Sequence, residues 1–467
     1  MADPAFPPDA LLPPPLPGWP ITARIGPSDW PTDQVERALA RIRAEALWWP
    51  LPQTGAAEAS VVTETTGPLA VIAPHAITRI EAEADTPLHR FGTLGDLIKG
   101  DAQALLRQSL WTDPWRGGAL SLEEGVEALS FLAAAARQNS GGFRLIGMSP
   151  WKQRCLAPFL TGPDGPPNAD GVRPVIWGAG DQTAPPEGAL RVEDGFLRSV
   201  GLGLRHTPPA SLTFDDKAPY FDATRRNGFE DVVDAATFTP QLLSRAAALR
   251  ARILTLRLSK YNVGAGAAPT PAPPGRTVTL VPGQVETDAS IRLGGVDVRT
   301  NRELLLRARQ EAPDAFLIYK PHPDVLTGLR EGAVDDAADI ADHVELTAAA
   351  PDCLDWADHV VTITSLMGFE ALLRGKRVTA LGRPFYAGWG LTHDLAPPQR
   401  SRTLTLDELT ASALILYPRY IDPITRLPAP PEVVVEALAT EMAEQGGVKA
   451  RMRRVWRNAA SWVLNRI

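Results

Sequence analysis

The stretch Ala315-Phe-Leu-Ile-Tyr319, followed by Lys320-Pro-His322-Pro-Asp324, decides the fold of this sequence. Five mostly apolar residues predict a buried strand, and the prolines mark a stiff loop where that strand ends. Ligands of open α/β sheets bind beyond the carboxyl ends of the strands. Lys320 offers a point charge and His322 a hydrogen-bond donor, so this loop is a candidate phosphate-binding site.

Strands and helices alternate on both sides of a segment rich in Ala, Pro and Gly, residues 264–275. This β–α–β texture is typical of parallel sheets covered by helices. It predicts an α/β protein of the GT-B type, with two Rossmann-like lobes and a cleft between them. The predicted strands are 143–147, 174–178, 190–194, 277–281, 315–319, 359–363 and 377–381, and the predicted helices are 151–160, 240–259, 301–312 and 369–373.

The predicted domains are an N-terminal extension (1–108), a first, acceptor-side lobe (109–263), a second, nucleotide-sugar lobe (276–440) and a basic C-terminal helix (446–467). The extension opens with a Pro-rich arm and is otherwise mostly helical, with predicted helices at 31–49 and 94–110 and a predicted strand at 71–73. Beyond the extension, a helix is predicted at 121–137 and starts with a capping box of Ser121 and Glu124. Trp111-Thr-Asp-Pro and Tyr420-Ile-Asp-Pro each precede an acidic helix, either by chance or because the extension is the remnant of a first module.

Composition excludes some classes of protein and partner. The net charge of −7 over 467 residues argues against a general nucleic-acid binder, which needs a basic footprint. Cys155 and Cys353 lack metal-site spacing and are interpreted as buried thiols. The N-terminus lacks a signal-peptide pattern, and no apolar run approaches the roughly 20 residues that span a bilayer, so a cytoplasmic protein is expected.

The basic segment 449–467 carries six Lys or Arg residues and no acid. It is typical of an amphipathic helix on a membrane surface, here the inner face of the inner membrane, or equally of a helix packed on its own protein.

A second phosphate-binding signal is Thr362-Ile-Thr-Ser-Leu-Met-Gly-Phe-Glu370. A strand ends in hydroxyl groups and a helix starts near Gly368, so Thr364, Ser365 and the free N–H groups of the helix form a candidate anion cradle. Glu370, one turn into the helix, is a candidate for the ribose hydroxyls. Together with the Lys-Pro-His-Pro loop, this pattern predicts a nucleotide-monophosphate site.

Three acidic residues are candidates for the reaction itself. Glu193 and Asp194 end a strand of the first lobe, and Asp288 follows the first strand of the second lobe. One carboxylate on each wall of the cleft suits glycosyl transfer with retention, which needs a nucleophile and an acid/base. Three further acids, Asp215, Asp216 and Asp222, are interpreted as turn caps.

Seven ordered motifs resemble the capsule polysaccharide biosynthesis proteins of the KpsC/KpsS type, closest to the C-terminal module of KpsC-like β-Kdo transferases. The resemblance covers about residues 109–440. The motifs are Glu193-Asp-Gly-Phe-Leu-Arg-Ser, Tyr220-Phe-Asp-Ala-Thr-Arg, Ser259-Lys-Tyr-Asn, Gln284-Val-Glu-Thr-Asp-Ala-Ser, Tyr319-Lys-Pro-His-Pro-Asp, Thr364-Ser-Leu-Met-Gly-Phe-Glu and Pro384-Phe-Tyr-Ala-Gly-Trp-Gly.

The resemblance implies a retaining transferase that moves Kdo, an acidic eight-carbon sugar, from CMP-β-Kdo to a lipid-linked poly-Kdo acceptor. It implies Asp288 as nucleophile and Glu193 as acid/base, with Asp194 as the alternative. It implies no metal and no cofactor beyond the donor substrate. Donor-binding candidates are Gln284, Lys320, His322, Thr364, Ser365, Gly368 and Glu370, and further cleft candidates are Arg198, Lys260, Tyr261, Asn262, Tyr386 and Trp389.

This chain departs from the resemblance in one respect. KpsC-like proteins usually carry two catalytic modules, whereas residues 1–108 contain neither an Glu-Asp-Gly-Phe nor a Lys-Pro-His-Pro segment. Which linkage the chain makes therefore stays open. Two alternatives also stay open: transfer of another CMP-linked acidic sugar, and a non-catalytic role in capsule assembly or export with other assembly proteins.

Overall fold

The computed structural model describes residues 10–12, 23–25, 28–45, 106–178, 186–201, 207–262 and 272–444. These residues form two compact units. The first comprises the described residues up to Gly142, with Leu160–Pro167 and Leu427–Ala429, and the second comprises Phe143–Phe159, Asn168–Arg426 and the described residues from Pro430 onward. The predicted strand at 71–73, the tail 449–467 and most of the linker lie outside the described residues.

In its described residues, the first unit is a small antiparallel sheet covered by two helices. Its elements are β1 (Ala10–Leu12), β2 (Ala23–Ile25), α1 (Thr32–Ala44), β3 (Ser109–Thr112), β4 (Ala119–Leu120) and α2 (Leu122–Gln138), and the strands follow one another in sheet order.

The core of the first unit centres on Trp111. A Cβ atom at Gly125, in the first turn of α2, would lie 2.3 Å from the Trp111 ring, so only glycine allows this packing. The predicted capping box is confirmed: Ser121 and Glu124 satisfy one another's backbone N–H groups. The helix predicted to run to residue 110 is wrong at its end, because Ser109 already begins β3.

The second unit contains a five-stranded sheet in the order β15-β8-β7-β6-β5. The bounds are β5 (Phe143–Leu145), β6 (Arg173–Trp177), β7 (Leu190–Asp194), β8 (Ser211–Asp215) and β15 (Arg419–Tyr420); the helices near it in sequence are α3 (Pro150–Leu160), α4 (Gly228–Ala235) and α5 (Pro240–Thr255). Residues 109–142, which sequence analysis grouped with this sheet, belong to the first unit.

This sheet is mixed, whereas the sequence predicted parallel strands. Strands β5, β6 and β7 are parallel, but β8 runs antiparallel to β7 and to β15. The described part of the β7–β8 connection contains no helix, and a parallel strand would need such a crossover. The pattern of alternating apolar runs does not distinguish the two directions.

The second unit also contains a six-stranded, all-parallel sheet in the order β11-β10-β9-β12-β13-β14. Its strands are β9 (Val278–Pro282), β10 (Phe316–Lys320), β11 (His343–Val344), β12 (His359–Thr362), β13 (Arg377–Ala380) and β14 (His393–Asp394). The helices of this half are α6 (Ala289–Gly294), α7 (Asn301–Glu311), α8 (Pro323–Leu326), α9 (Ala337–Ile340), α10 (Ala350–Trp356), α11 (Leu366–Leu373), α12 (Leu406–Ala411), a π-helical turn (Ser412–Leu416) and α13 (Pro431–Glu444).

The order of the parallel strands identifies a candidate ligand-binding crevice. The chain runs outward from β9 to β11 and then returns to place β12 beside β9. The crevice beyond the carboxyl ends of β9 and β12 is therefore the switch point at which such sheets bind nucleotides. All five residues of β9 are buried, as expected for a central parallel strand.

Two smaller predictions, on the cysteines and on Asp215, were also tested by the structure. Cys155 and Cys353 are both buried and free. Asp215 accepts hydrogen bonds from the N–H groups of Lys217, Ala218 and Gly228, so it caps a turn as interpreted. Across the described part of the chain, no helix has the length and apolar character to cross a membrane.

Candidate functional site

One glutamine side chain connects the two strand ends that form the switch point. Gln284 follows β9, and its Nε2 donates to Thr364 Oγ1 at 3.0 Å, while its Oε1 accepts from the Thr364 N–H at 3.0 Å. Asn301 holds the backbone of Gln284 from the other side by accepting its N–H at 2.8 Å. The amide of Gln284 thus joins the ends of β9 and β12. The predicted contact of Gln284 with the sugar-nucleotide substrate stays a prediction.

The Lys-Pro-His-Pro loop orients His322. This residue is the N-cap of α8, and its Nδ1 accepts the Asp324 N–H at 3.1 Å. An Nδ1 that accepts leaves the hydrogen of a neutral imidazole on Nε2. Burial lowers the pKa of His322, opposed by the charges of Asp324 and Asp288, so the neutral ring with an Nε2–H donor prevails at neutral pH.

Lys320, at the end of β10, is held by the chain itself. Its ammonium donates to the Ala348 carbonyl at 2.6 Å. A phosphate would have to share this ammonium, which has two further hydrogens to donate.

Helix α11 starts at Leu366, two residues before the predicted position. Ser365 is its N-cap and accepts the Met367 N–H at 3.2 Å, and the Gly368 N–H is donated to the Ser365 carbonyl. A Cβ atom at Gly368 would lie 2.2 Å from the Tyr386 hydroxyl, which donates to the Ser365 carbonyl at 2.6 Å. The glycine is therefore required by the packing of Tyr386, and the helix start has fewer free N–H groups than the sequence predicted.

Tyr386 and Trp389, two of the cleft candidates, are fully buried. The Trp389 indole donates to the Phe385 carbonyl at 2.7 Å. Phe385 in turn stacks on Phe196 at 4.5 Å between ring centroids. These aromatic residues join the segment after β7 to the segment after β13 and support the site from the core.

Glu193 and Asp194 are the last two residues of β7, and their side chains lie on opposite faces of the sheet. Asp194 Oδ2 lies 2.7 Å from Nε of the buried Arg198, so this carboxylate is already paired. Glu193 is half-buried and has no such cation at contact distance among the described residues. Burial and the negative charges of Asp194 and Asp288 raise the pKa of Glu193 to about 8, against the opposing charge of Lys260.

Asp288 is exposed and is the N-cap of α6, where it accepts the Ser290 N–H at 2.8 Å. Its charge raises the pKa of Glu193 and opposes the lowering at His322. Asp288 of the six-stranded half is thus within electrostatic range of Glu193 of the five-stranded half and of the His322 loop.

The turn Ser259–Asn262 connects the two halves at this point. The Lys260 N–H donates to Glu370 Oε1 at 3.0 Å, and the Lys260 carbonyl accepts the N–H groups of Arg198 and Ser199. Asn262 closes the turn with φ 49°, and its Oδ1 accepts the Ser259 N–H at 2.8 Å.

Two residues that sequence analysis did not place in the site belong to it. Asn301 binds the Gln284 carbonyl and the Gly332 carbonyl in addition to the Gln284 N–H. The ring of Tyr220 packs edge-on against Phe196 at 4.9 Å, and its hydroxyl donates to the Asp194 carbonyl at 3.4 Å. The Tyr220 motif was visible in the sequence, whereas a lone Asn at a helix start carries no signal.

No group of three or more His, Cys, Asp and Glu side chains suited to a metal ion occurs in the ranges that the structure describes.

Several known proteins are similar to this chain. Residues 253–420 match a family described as capsule polysaccharide biosynthesis protein. The capsule polysaccharide modification protein LipA of Neisseria meningitidis serogroup A is 41% identical over 355 residues, which is 71% of this chain and 50% of LipA. The lipopolysaccharide-processing protein LpsZ of Rhizobium meliloti is 45% identical over 260 residues, 53% of this chain and 59% of LpsZ. The chain thus spans half to three fifths of the length of these relatives.

Two solved structures are similar to this chain, both from Thermosulfurimonas dismutans KpsC. Its β-Kdo 2,7-transferase has a TM-score of 0.52 and 33% identity, covering 64% of this chain and 99% of that one. Its β-Kdo 2,4-transferase has a TM-score of 0.52 and 36% identity, covering 57% of this chain and 86% of that one.

Proposed function

This chain belongs to the capsule polysaccharide biosynthesis proteins of the KpsC/KpsS type, and we propose that it is a GT-B glycosyltransferase that moves Kdo with retention from CMP-β-Kdo to a lipid-linked, Kdo-containing acceptor. The observation that carries the proposal is that the charge of Asp288, which follows β9, acts both on Glu193 at the end of β7 and on His322 after β10. The two similar KpsC structures, both named as β-Kdo transferases, support the choice of sugar.

In the proposed first step, an Asp288 oxygen attacks the anomeric carbon of Kdo while the bond from that carbon to the CMP phosphate oxygen breaks. The electron pair of the breaking bond leaves with CMP. The Nε2–H of His322 and the ammonium of Lys320 face this phosphate and stabilise its charge. The product is a Kdo ester of Asp288.

In the proposed second step, an acceptor hydroxyl attacks the same carbon and the ester oxygen departs, which restores the Asp288 carboxylate. Glu193 takes the hydroxyl proton as general base. Two inversions give net retention. Exposed Asp288 is accessible to a donor, and Asp194, which is paired with Arg198, is the weaker candidate for either role.

The function is tested with CMP-Kdo generated in situ and a synthetic Kdo-terminated acceptor. We expect addition of one β-linked Kdo, detected by mass spectrometry and assigned by NMR. Product only with another CMP-linked acidic sugar would replace Kdo as the substrate. Binding of the acceptor without transfer from any donor would leave a non-catalytic role in capsule assembly or export.

His322→Asn tests the proposed phosphate contact. Asparagine retains an oxygen that accepts the Asp324 N–H and is a good N-cap, but it lacks the Nε2–H donor. Loss of a hydrogen bond to a charged group costs about 1.5–3 kcal/mol, so the Kd for CMP should rise about 10- to 150-fold. Calorimetric titration with CMP measures this. His343→Asn, at a histidine bonded to Glu345, is the control and should bind CMP as the wild type does.

A further inference from the structure

The ammonium group of Lys260 forms no hydrogen bond or ion pair within the described residues. Its nitrogen lies 5.4 Å from the Tyr261 ring centroid. Glu193, Asp194 and Tyr220 nevertheless act on its charge, and Lys260 acts on His322. The ammonium therefore lies among the reactive groups and not on the solvated surface.

The backbone of Lys260 is fixed on both sides. Glu370 holds its N–H from α11, and Arg198 and Ser199 hold its carbonyl from the segment after β7. Asn262, in the left-handed region, fixes the end of the turn with reciprocal bonds to Ser259. A surface lysine that only improves solubility would not need its backbone N–H and carbonyl to be held in this way. A half-buried ammonium is costly unless an anion compensates it.

The other cations near the site are already engaged. Arg198 binds Asp194, Ser199 and the Thr207 carbonyl, and Lys320 binds the Ala348 carbonyl. Glu193, Asp194 and Asp288 make the surroundings acidic, so an anionic ligand needs a cation to enter. Arg330, whose charge also acts on His322, is exposed, so Lys260 is the half-buried cation that the described part of the site leaves available.

We infer that Lys260 binds the carboxylate at the anomeric carbon of the donor sugar, and that Glu370 is a positioning residue that sets Lys260 in place through its backbone. This inference rests on the proposed function. It gives a reason why an acidic site accepts a sugar that carries its own carboxylate next to the reacting carbon. It also gives Glu370 a role other than the predicted contact with ribose.

Lys260→Met, which retains the length and apolar stem of lysine, tests the inference. We measure kcat/KM for CMP-Kdo and the inhibition constant of CMP, which contains the phosphate and ribose but no sugar carboxylate. The variant should lose about 10- to 150-fold in kcat/KM, the range for a charged hydrogen bond, while the inhibition constant of CMP stays within about twofold. Lys260→Arg should recover part of the loss.

Other outcomes overturn the inference. An equal loss of CMP binding would place Lys260 on the phosphate, and unchanged kinetics would show that its charge only balances the acids around it. If the wild-type protein fails to use CMP-Kdo at all, the proposed function is wrong. If the wild type is active and the Lys260 variants behave as just described, only the inference about Lys260 is wrong.

Glu370→Gln and Glu370→Ala test the positioning role. Glutamine retains an oxygen for the Lys260 N–H, and alanine does not. Glu370→Ala should lower kcat/KM for CMP-Kdo more than it weakens CMP, and Glu370→Gln should recover most of that difference. If both variants weaken CMP and CMP-Kdo equally, Glu370 contacts the nucleotide and does not act through Lys260.

Discussion

Asp288→Asn should lower the rate of Kdo transfer by about 10⁴-fold or more, the range seen when a covalent nucleophile is removed. The amide is too weak a nucleophile to form the sugar ester. Asparagine caps helices as well as aspartate does, so the bond to the Ser290 N–H and the start of α6 survive. Loss of activity in this variant therefore reports chemistry and not folding.

The measurement is intact-mass spectrometry after incubation with CMP-Kdo in the absence of acceptor. The wild-type protein should gain the mass of one Kdo residue, and the variant should not. Asp297→Asn, at an exposed aspartate beyond the end of α6, is the matched control and should retain both adduct and activity. Full activity of Asp288→Asn would remove Asp288 from the mechanism and leave Glu193 or Asp194 as the nucleophile.

The features that could be predicted from the sequence are those carried by short, continuous segments of the chain. Strands β9, β10 and β12 are short apolar segments, and the loops that follow them carry Gln284, Lys320, His322 and Thr364 in order along the chain. Strand ends in a parallel sheet meet at one edge, so their proximity follows from topology. The structure places these loops together as this argument requires.

The features that could not be predicted depend on contacts between distant segments. The Lys260 N–H reaches Glu370 across 110 residues, and no periodicity or spacing encodes that bond. The hydroxyl of Tyr386 explains Gly368, which in the sequence had the appearance of an anion-binding glycine. The direction of β8 also depends on the path of its connection, which an apolar strand pattern does not record.

The electrostatics of Glu193 suggest how one carboxyl group serves the second step. Its pKa of about 8 reflects burial first and then the charge of Asp194, with Asp288 adding to the effect. Near pH 7 most of Glu193 is protonated in the free enzyme and is a poor base. Esterification of Asp288 removes one of these negative charges, but the carboxylate of the bound Kdo brings in another, so the pKa of Glu193 stays raised and its deprotonation near pH 8 controls the second step.

Glu193→Gln should slow transfer to the acceptor by about 10²- to 10⁴-fold, the usual contribution of a general base, while the Kdo ester of Asp288 still forms. The adduct should therefore accumulate in the presence of acceptor, in contrast to the wild type, and intact-mass spectrometry detects it. Glu230→Gln, at a glutamate paired with Arg400 outside the acidic cluster, tests whether loss of any half-buried glutamate has this effect.

The pH dependence provides an independent check with a definite sign. Because the base must be deprotonated, the rate of transfer from preformed adduct should rise with pH and level off above about pH 8, the value to which burial and neighbouring charges raise the pKa of Glu193. The Glu193→Gln variant should lose this rise. A rate that falls with pH over the same range would mean that Glu193 is not the base of this step, and Asp194 would then be the remaining carboxylate able to receive the acceptor proton.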